Sequence, residues 1–311
     1  MTTPLVSILM PAYNHEKYIS QAIESVLAQK TNYPYELLIH DDCSADSTLT
    51  IAQDYATKYP DKIKLFTEKE NQGLIKSYKR LIEQSKGKYL AILESDDYWL
   101  DKNKLQIQID FLENNPDYGI VAGDIITIDD EGNEIKKGGF NSDKASTDFW
   151  YTKLLGLSGF EGACAIIFRR DLFNTYCNIN DYIDLGFKTF DQPTWLSISY
   201  HSKCKVISKI LAAYRHTSTS LSNNTLFEKH IDFILNIIGI EKYIIEKYGL
   251  NGITQDEYNN RISFIIMGKA LKFHKLKLFC EYAKKLKPIS IKQKFMHFFP
   301  HLYYWQFIIR H

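Results

Sequence analysis

The chain has 311 residues, 38 Lys/Arg against 37 Asp/Glu and 45% hydrophobic side chains, enough to bury one large core or two smaller ones. A net charge of +1 gives no electrostatic reason to expect a nucleic-acid partner. Five scattered cysteines (Cys43, Cys164, Cys177, Cys204, Cys280), none in a Cys-x-x-Cys pair, argue against a disulfide framework or a zinc site and for a reducing compartment. The sequence opens without a secretory signal and holds no apolar run long enough to span a bilayer, so a cytoplasmic location is expected.

Residues 6–10 read as a first strand closed by Pro11, and Ile19, Ala22, Ile23, Val26 and Leu27 then recur at helical spacing. A second strand at 37–39 runs into Asp41-Asp42-Cys43-Ser44; Asp46 or Ser47 can cap the next helix, which buries Leu49, Ala52, Tyr55 and Ala56. A third strand at 63–66 leads through Asn71-Gln72-Gly73 into a helix carrying Leu74, Tyr78, Leu81 and Ile82. The run Tyr89-Leu90-Ala91-Ile92-Leu93 is a fourth strand, followed by a helix with Leu105, Ile109 and Leu112 and a strand at 120–122. Strands alternating with helices predict an α/β, doubly wound sheet. Beyond it, Asp129-Asp130-Glu131-Gly132-Asn133 reads as a hairpin tip, 136–148 is polar, and 163–168 is an apolar strand. Asp191-Gln192-Pro193 introduces a short helix at Trp195, and after about residue 222 the pattern is helical.

The most informative stretch is Glu94-Ser95-Asp96-Asp97-Tyr98-Trp99, three carboxylates directly behind a buried strand. Hard oxygen donors there suit Mg²⁺ or Mn²⁺ rather than zinc, and the carboxyl end of a strand is where open α/β sheets bind ligands. Pro11-Ala12-Tyr13-Asn14, Asp41-Asp42 and Asn71-Gln72-Gly73 follow other strands, and βαβ connectivity brings all four features to one edge. Tyr13 offers a flat face for a nucleobase or simply packs in its loop. Asp42 offers an acceptor for an imino N–H or caps a helix.

Residues 4–130 resemble the nucleotide-binding half of a family 2 glycosyltransferase with the GT-A fold. The matching pieces are Val6 to Asn14, Ala22-Ile23-Glu24-Ser25-Val26-Leu27-Ala28-Gln29, Asp41-Asp42-Cys43-Ser44, Asn71-Gln72-Gly73, Gly87-Lys88-Tyr89-Leu90 and Ser95-Asp96-Asp97. The second half matches more thinly, through Gly162-Ala163-Cys164, Arg169-Arg170, Asp191 and Tyr214-Arg215-His216. The resemblance implies transfer of a sugar from a nucleoside-diphosphate sugar to a hydroxyl, with inversion at the anomeric carbon. Pro11, Ala12, Tyr13 and Asn14 would then frame the nucleotide, with Tyr13 stacking on the base and Asp42 binding its imino group. Asp96 would contact ribose or metal, and Asp97 would be the main ligand of a Mn²⁺ or Mg²⁺ ion. Asp191 would be the general base, unless it merely starts its helix. Arg215 would pair with the diphosphate and His216 complete the metal shell, unless they form a surface pair; Lys76 and Arg80 are further phosphate candidates. Three positions depart from the family pattern: Cys43 stands where Gly is frequent, Phe190 where an acid often precedes the base, and Glu94 where Asp is frequent.

The last segment is different in kind. From residue 251 onward there are 11 Lys/Arg against 3 Asp/Glu, and residues 295–309 are dense in aromatics. Rings beside lysines suit an anionic membrane surface, giving peripheral attachment to the inner face of the cell membrane; the same rings could instead dock the last helices onto the domain or onto a second copy in a homo-oligomer. The expected organisation is a catalytic domain at 1–222 and a helical extension at 223–311. The expected activity is metal-dependent transfer from a UDP-sugar to a glycan or lipid-linked acceptor in bacterial surface polysaccharide synthesis. A non-catalytic nucleotide-sugar-binding or assembly subunit is the alternative from another class. A sugar-1-phosphate nucleotidyltransferase is disfavoured, because residues 11–19 hold no Gly and no Arg for a phosphate loop.

Overall fold

Strands buried along their whole length form the centre of the sheet. β1 (Val6–Ala12), β2 (Tyr35–Asp41) and β4 (Tyr89–Ile92) are apolar runs covered on both faces, as parallel strands between helix layers must be. The computed structural model describes residues 3–138, 150–156, 162–217, 226–288 and 290–310. With β3 (Ile63–Thr67), these strands lie parallel in the order β3-β2-β1-β4. The sheet continues as β8 (Ile166–Arg169), β6 (Tyr118–Ile128), β9 (Lys203–Arg215) and β5 (Tyr98–Trp99), with β7 (Glu134–Lys137) hairpinned on β6. β8 is antiparallel to both neighbours, so the sheet is mixed.

Alternation along β1 sends Val6, Ile8 and Met10 into one core with Ile23 and Val26 of α1 (Ile19–Leu27), Ala52 of α2 (Thr48–Lys58) and Leu105, Ile109 and Leu112 of α4 (Lys104–Asn114). On the sheet, α3 (Leu74–Gln84) packs against β1 and β2 through Ile75, Tyr78 and Leu81. Gly87 has no room for a side chain: a Cβ there would lie 2.4 Å from the Ser7 nitrogen. The Ser7 hydroxyl accepts the N–H groups of Lys86 and Gly87 and donates to Glu36, locking the entry of β4 beside β1.

Several elements differ from the sequence expectation. Residues 163–168 are a one-turn 3-10 helix (Ala163–Ala165) followed by β8, and the 13-residue β9 is a strand that the sequence pattern does not announce. Two further helices, α6 (Arg170–Tyr176) and α7 (Ile179–Asp184), precede α8 (Asp191–His201). Of the polar stretch 136–148, positions from 139 on lie outside the described residues.

The chain divides into two compact units, Met1–Trp150 with Phe160–Asn224, and Tyr151–Gly159 with Thr225–His311. The second unit takes in α5 (Tyr151–Leu154), which the sequence assigns to the first domain, together with α9 (Phe227–Tyr248), α10 (Gln255–Lys272), α11 (Leu276–Lys285), α12 (Ile291–Phe298) and α13 (Pro300–Arg310). Met267, Ala270, Phe279, Ala283, Met296 and Tyr304 form its core, and Thr254 with Glu257 caps α10 by a reciprocal capping box. No helix among the described residues is long and apolar enough to cross a membrane. None of the five cysteines is in a disulfide.

Candidate active site

β1 is the point where the strand order reverses: β2 and β3 lie on one side and β4 on the other. The crevice outside the carboxyl ends of β1 and β4 is where this class of sheet binds ligands. The chain leaving β4 continues along β1, with Leu93 N–H donating to Leu9 O (3.1 Å) and Ser95 N–H to Pro11 O (3.3 Å). It then turns, Asp97 N–H donating to Glu94 O. That turn gathers one carboxylate oxygen each from Glu94, Asp96 and Asp97 to within 4.8 Å of one another.

The neighbouring loops are tied to it. His15 Nδ1 bonds the Ser95 hydroxyl (2.7 Å) and its Nε2 lies 3.9 Å from the Asp96 carboxylate, holding the Tyr13-Asn14 loop beside the acids. Asn14 N–H donates to Ser44 Oγ and Asn14 Oδ1 accepts from Ala45 N–H, while Asp42 N–H donates to Ala12 O. The Asp42 carboxylate accepts the N–H groups of Gln72 and Gly73, both at 2.7 Å, at the start of α3. The four loop features named from the sequence thus form one hydrogen-bonded rim. Tyr13 stands up from it, 46% exposed, with its ring free to meet a flat partner. Asp42 thus holds the turn that opens α3, and each of its oxygens keeps a lone pair for a further donor. Cys43, at the position where Gly is frequent, takes the left-handed conformation with φ +62.

The acids repel one another. Burial first, then the Asp96 and Asp191 charges, push the Glu94 carboxyl up to about 8, against a lowering by the Tyr78 hydroxyl that donates to it. Burial, Asp96 and Glu94 push Asp97 well above the usual carboxylate range, offset by the Arg215 N–H that donates to its Oδ1 (2.7 Å). Three crowded carboxylate oxygens, one from each acid, are a good fit for a divalent cation, whose charge turns their mutual repulsion into attraction.

Phe190 is buried and stacks on Tyr78 (4.2 Å between centroids, 17° between planes). Asp191 follows it as the first residue of α8, where the helix dipole favours a carboxylate. Its charge reaches both Tyr78 and Glu94, so starting the helix and facing the acids are compatible roles. Tyr78 therefore touches Glu94 through its hydroxyl and the Asp191 turn through its ring, a link that no spacing in the sequence reveals.

The four basic candidates each have partners in the structure. Arg215 is no free cation for a diphosphate: its guanidinium is buried, donates to Asp96 O, Asp129 O, Asp130 O and Gln21 Oε1, and lies over the Tyr18 ring at 4.4 Å. Its work is to clamp the acidic turn. His216 is outside the carboxylate cluster, whose third member is Glu94; its ring packs edge-on to Tyr214. Lys76 and Arg80 line a hollow of about 380 Å³ with Glu68, Lys79, Glu83 and Asn180 that adjoins the rim through Gln72; Lys76 Nζ donates to Gln72 Oε1 (3.2 Å) and Arg80 lies over Phe66. One helical turn puts them together, and the helix face they share is not the one that carries Tyr78.

The profile of the family described as Glycosyl transferase family 2 matches residues 7–176. The chain belongs to that family. It is 30% identical over 267 residues to the Escherichia coli UDP-Glc:alpha-D-GlcNAc-diphosphoundecaprenol beta-1,3-glucosyltransferase WfgD, covering 78% of this chain and 96% of WfgD. It is 36% identical over 129 residues to the putative glycosyltransferase EpsE of Bacillus subtilis, covering 42% of this chain and 46% of EpsE. The chain spans less than half the length of several such relatives, 37% in the case of a Mycobacterium tuberculosis protein. The fold is that of S. aureus TarS 1-349 in complex with UDP-GlcNAc (TM-score 0.60, 17% identity, 90% of this chain and 81% of that one). It is also that of the Pyrobaculum calidifontis mannosyltransferase PcManGT in complex with GDP-Man and Mn2+ (TM-score 0.52, 14% identity, 96% and 88%). This family 2 chain therefore carries a GT-A type mixed sheet.

Proposed function

We propose that this protein moves a sugar from a UDP-sugar to a hydroxyl of a glycan or lipid-linked acceptor, with inversion, in the assembly of a bacterial surface polysaccharide. The observation that carries the reading is the convergence of Tyr13, Asp42 and the Glu94/Asp96/Asp97 cluster on one crevice at the β1/β4 switch point. WfgD, whose name gives a UDP-sugar donor and a diphosphoundecaprenol-linked acceptor, supports the choice of substrates.

Tyr13 stacks on the base and Asp42 accepts its imino N–H with the lone pairs left over from Gln72 and Gly73. Pro11, Ala12 and Asn14 shape the rim. Glu94, Asp96 and Asp97 would hold Mn²⁺ or Mg²⁺, which when bound neutralises charge on the departing diphosphate. Asp191 takes the proton from the acceptor hydroxyl as its oxygen bonds to the anomeric carbon; the bond from that carbon to the diphosphate oxygen breaks, and UDP leaves with the electron pair. Residues 1–222 would do this chemistry, with 223–311 as an extension.

Release of UDP from a panel of UDP-sugars, measured with Mn²⁺ and a glycan or polyprenyl-diphosphate-sugar acceptor, tests the proposal. One donor should turn over, and Asp191→Asn should slow transfer about a hundredfold while UDP still binds. Binding without turnover of any donor would favour a non-catalytic subunit.

A further inference from the structure

The α12–α13 segment exposes what a folded surface normally hides. Ile291, Phe295, Phe298, Phe299, Leu302 and Trp305 are all exposed, Ile291 to 88% and Phe298 to 66%. Ile291, Phe295 and Phe298 recur at i, i+4, i+7, one stripe along α12, and Leu302 and Trp305 continue at i, i+3 on α13. Met296 and Tyr304, on the opposite faces of the same two helices, are buried in the core of this unit. The helices thus have two apolar sides, of which the described residues cover one. So many large apolar side chains side by side mark an interaction surface.

Charge selects the occupant. Glu281 is the last acidic residue in the sequence, whereas Lys284, Lys285, Lys287, Lys292 and Lys294 follow it, all of them exposed. An isologous pairing of two copies would bring this patch against itself and oppose lysine with lysine. An anionic bilayer offers the complementary charge together with an apolar layer, and aromatic rings settle at headgroup depth. We propose that α12–α13 is a lipid-docking face that lies in the interface of an anionic membrane, with the exposed rings inserted and the lysines on the headgroups. The inference goes beyond the transferase reading and does not depend on it.

The chain supplies its own probe. Of four tryptophans, Trp99, Trp150 and Trp195 are buried and Trp305 is 53% exposed, so a change in solvation of tryptophan reports on this face. The full chain should be mixed with phosphatidylcholine vesicles and with vesicles carrying about one third phosphatidylglycerol, the charge that polybasic surfaces recognise. The expected results are a blue shift of emission and co-flotation with the anionic vesicles about tenfold stronger than with the neutral ones, weakened by salt. Phe298→Ser with Leu302→Ser should abolish flotation, and Lys292→Glu with Lys294→Glu should remove the preference for phosphatidylglycerol. Both double variants should keep the UDP-induced rise in Tm of the parent, which keeps this test separate from the transferase test. Absence of flotation with phosphatidylglycerol vesicles would overturn the proposal. So would a blue shift that grows with protein concentration in the absence of lipid, with sedimentation as a dimer, since a second copy would then cover the patch.

Discussion

The two units hold themselves together in opposite ways. In the first, helices and sheet are packed by continuous apolar strands, and polar side chains are concentrated at the carboxyl ends of those strands, where they bond one another across 80 residues of sequence or more. In the second, α10 to α13 share a modest core, Thr254 and Glu257 cap α10 locally, Tyr151 Oη donates to Gly249 O across 98 residues, and an apolar stripe is left uncovered by the described residues. The difference shows where substitution should be felt as lost chemistry and where as lost stability or lost attachment.

The comparison breaks first at the carboxylates. Asp97→Asn removes the ligand proposed for the ion, whose pairing with the Arg215 N–H also shapes the turn, and transfer should fall about a thousandfold with the fold intact by circular dichroism. Asp191→Asn should cost about a hundredfold in kcat at unchanged UDP affinity, because it removes the proposed base and leaves the donor site alone. A fall in UDP affinity of the same size would put Asp191 in the donor site.

A third prediction concerns stability in the first unit. Lys104 is fully buried, its Nζ without a hydrogen-bond partner and 4.2 Å from the Trp99 ring, and burial lowers it from the usual 10.5 to about 7. Below pH 7 both folded and unfolded chains carry the proton. Between about 7 and 10.5 the unfolded chain keeps it and the folded one releases it, so the unfolded state binds more protons and stability rises with pH. Lys104→Met keeps the stem and removes the charge; it should stabilise the protein by about 2 kcal/mol at pH 6 and flatten the rise above pH 7, as read from Tm against pH. The smallest effect belongs to the second unit: Thr254→Ala should cost about 1 kcal/mol by denaturant titration and leave UDP binding untouched.

How much of this could be read in advance follows from the same contrast. β1, β2 and β4 are legible because strands buried on both faces have no polar positions to interrupt the run, and the loops behind them announce themselves by abrupt polarity. β9 was not: Lys203, Lys205, Ser208 and Lys209 interrupt it, and its pairing with β6 slips register near Asp124, so neither periodicity survives. Arg215 looked like a free cation because sequence shows a charge and not its partners; only the folded turn reveals the carbonyls of Asp96, Asp129 and Asp130 that take its donors. Lys76 and Arg80 share a helical face, yet the direction of that face is set by Tyr78 and Leu81 packing inward. Phe190 read as a departure from the family pattern, and in the fold it is the ring that seats Tyr78 against the Asp191 turn.

The most direct test of the shared crevice is the Tm of the protein with UDP in Mn²⁺ and in EDTA, compared with Asp97→Asn and Tyr13→Ala. Binding to the native state raises Tm by mass action. UDP should stabilise the parent in Mn²⁺ and lose most of that effect in EDTA and in either variant. Equal stabilisation by UDP in EDTA and in Asp97→Asn would show that the acids and the nucleotide do not meet.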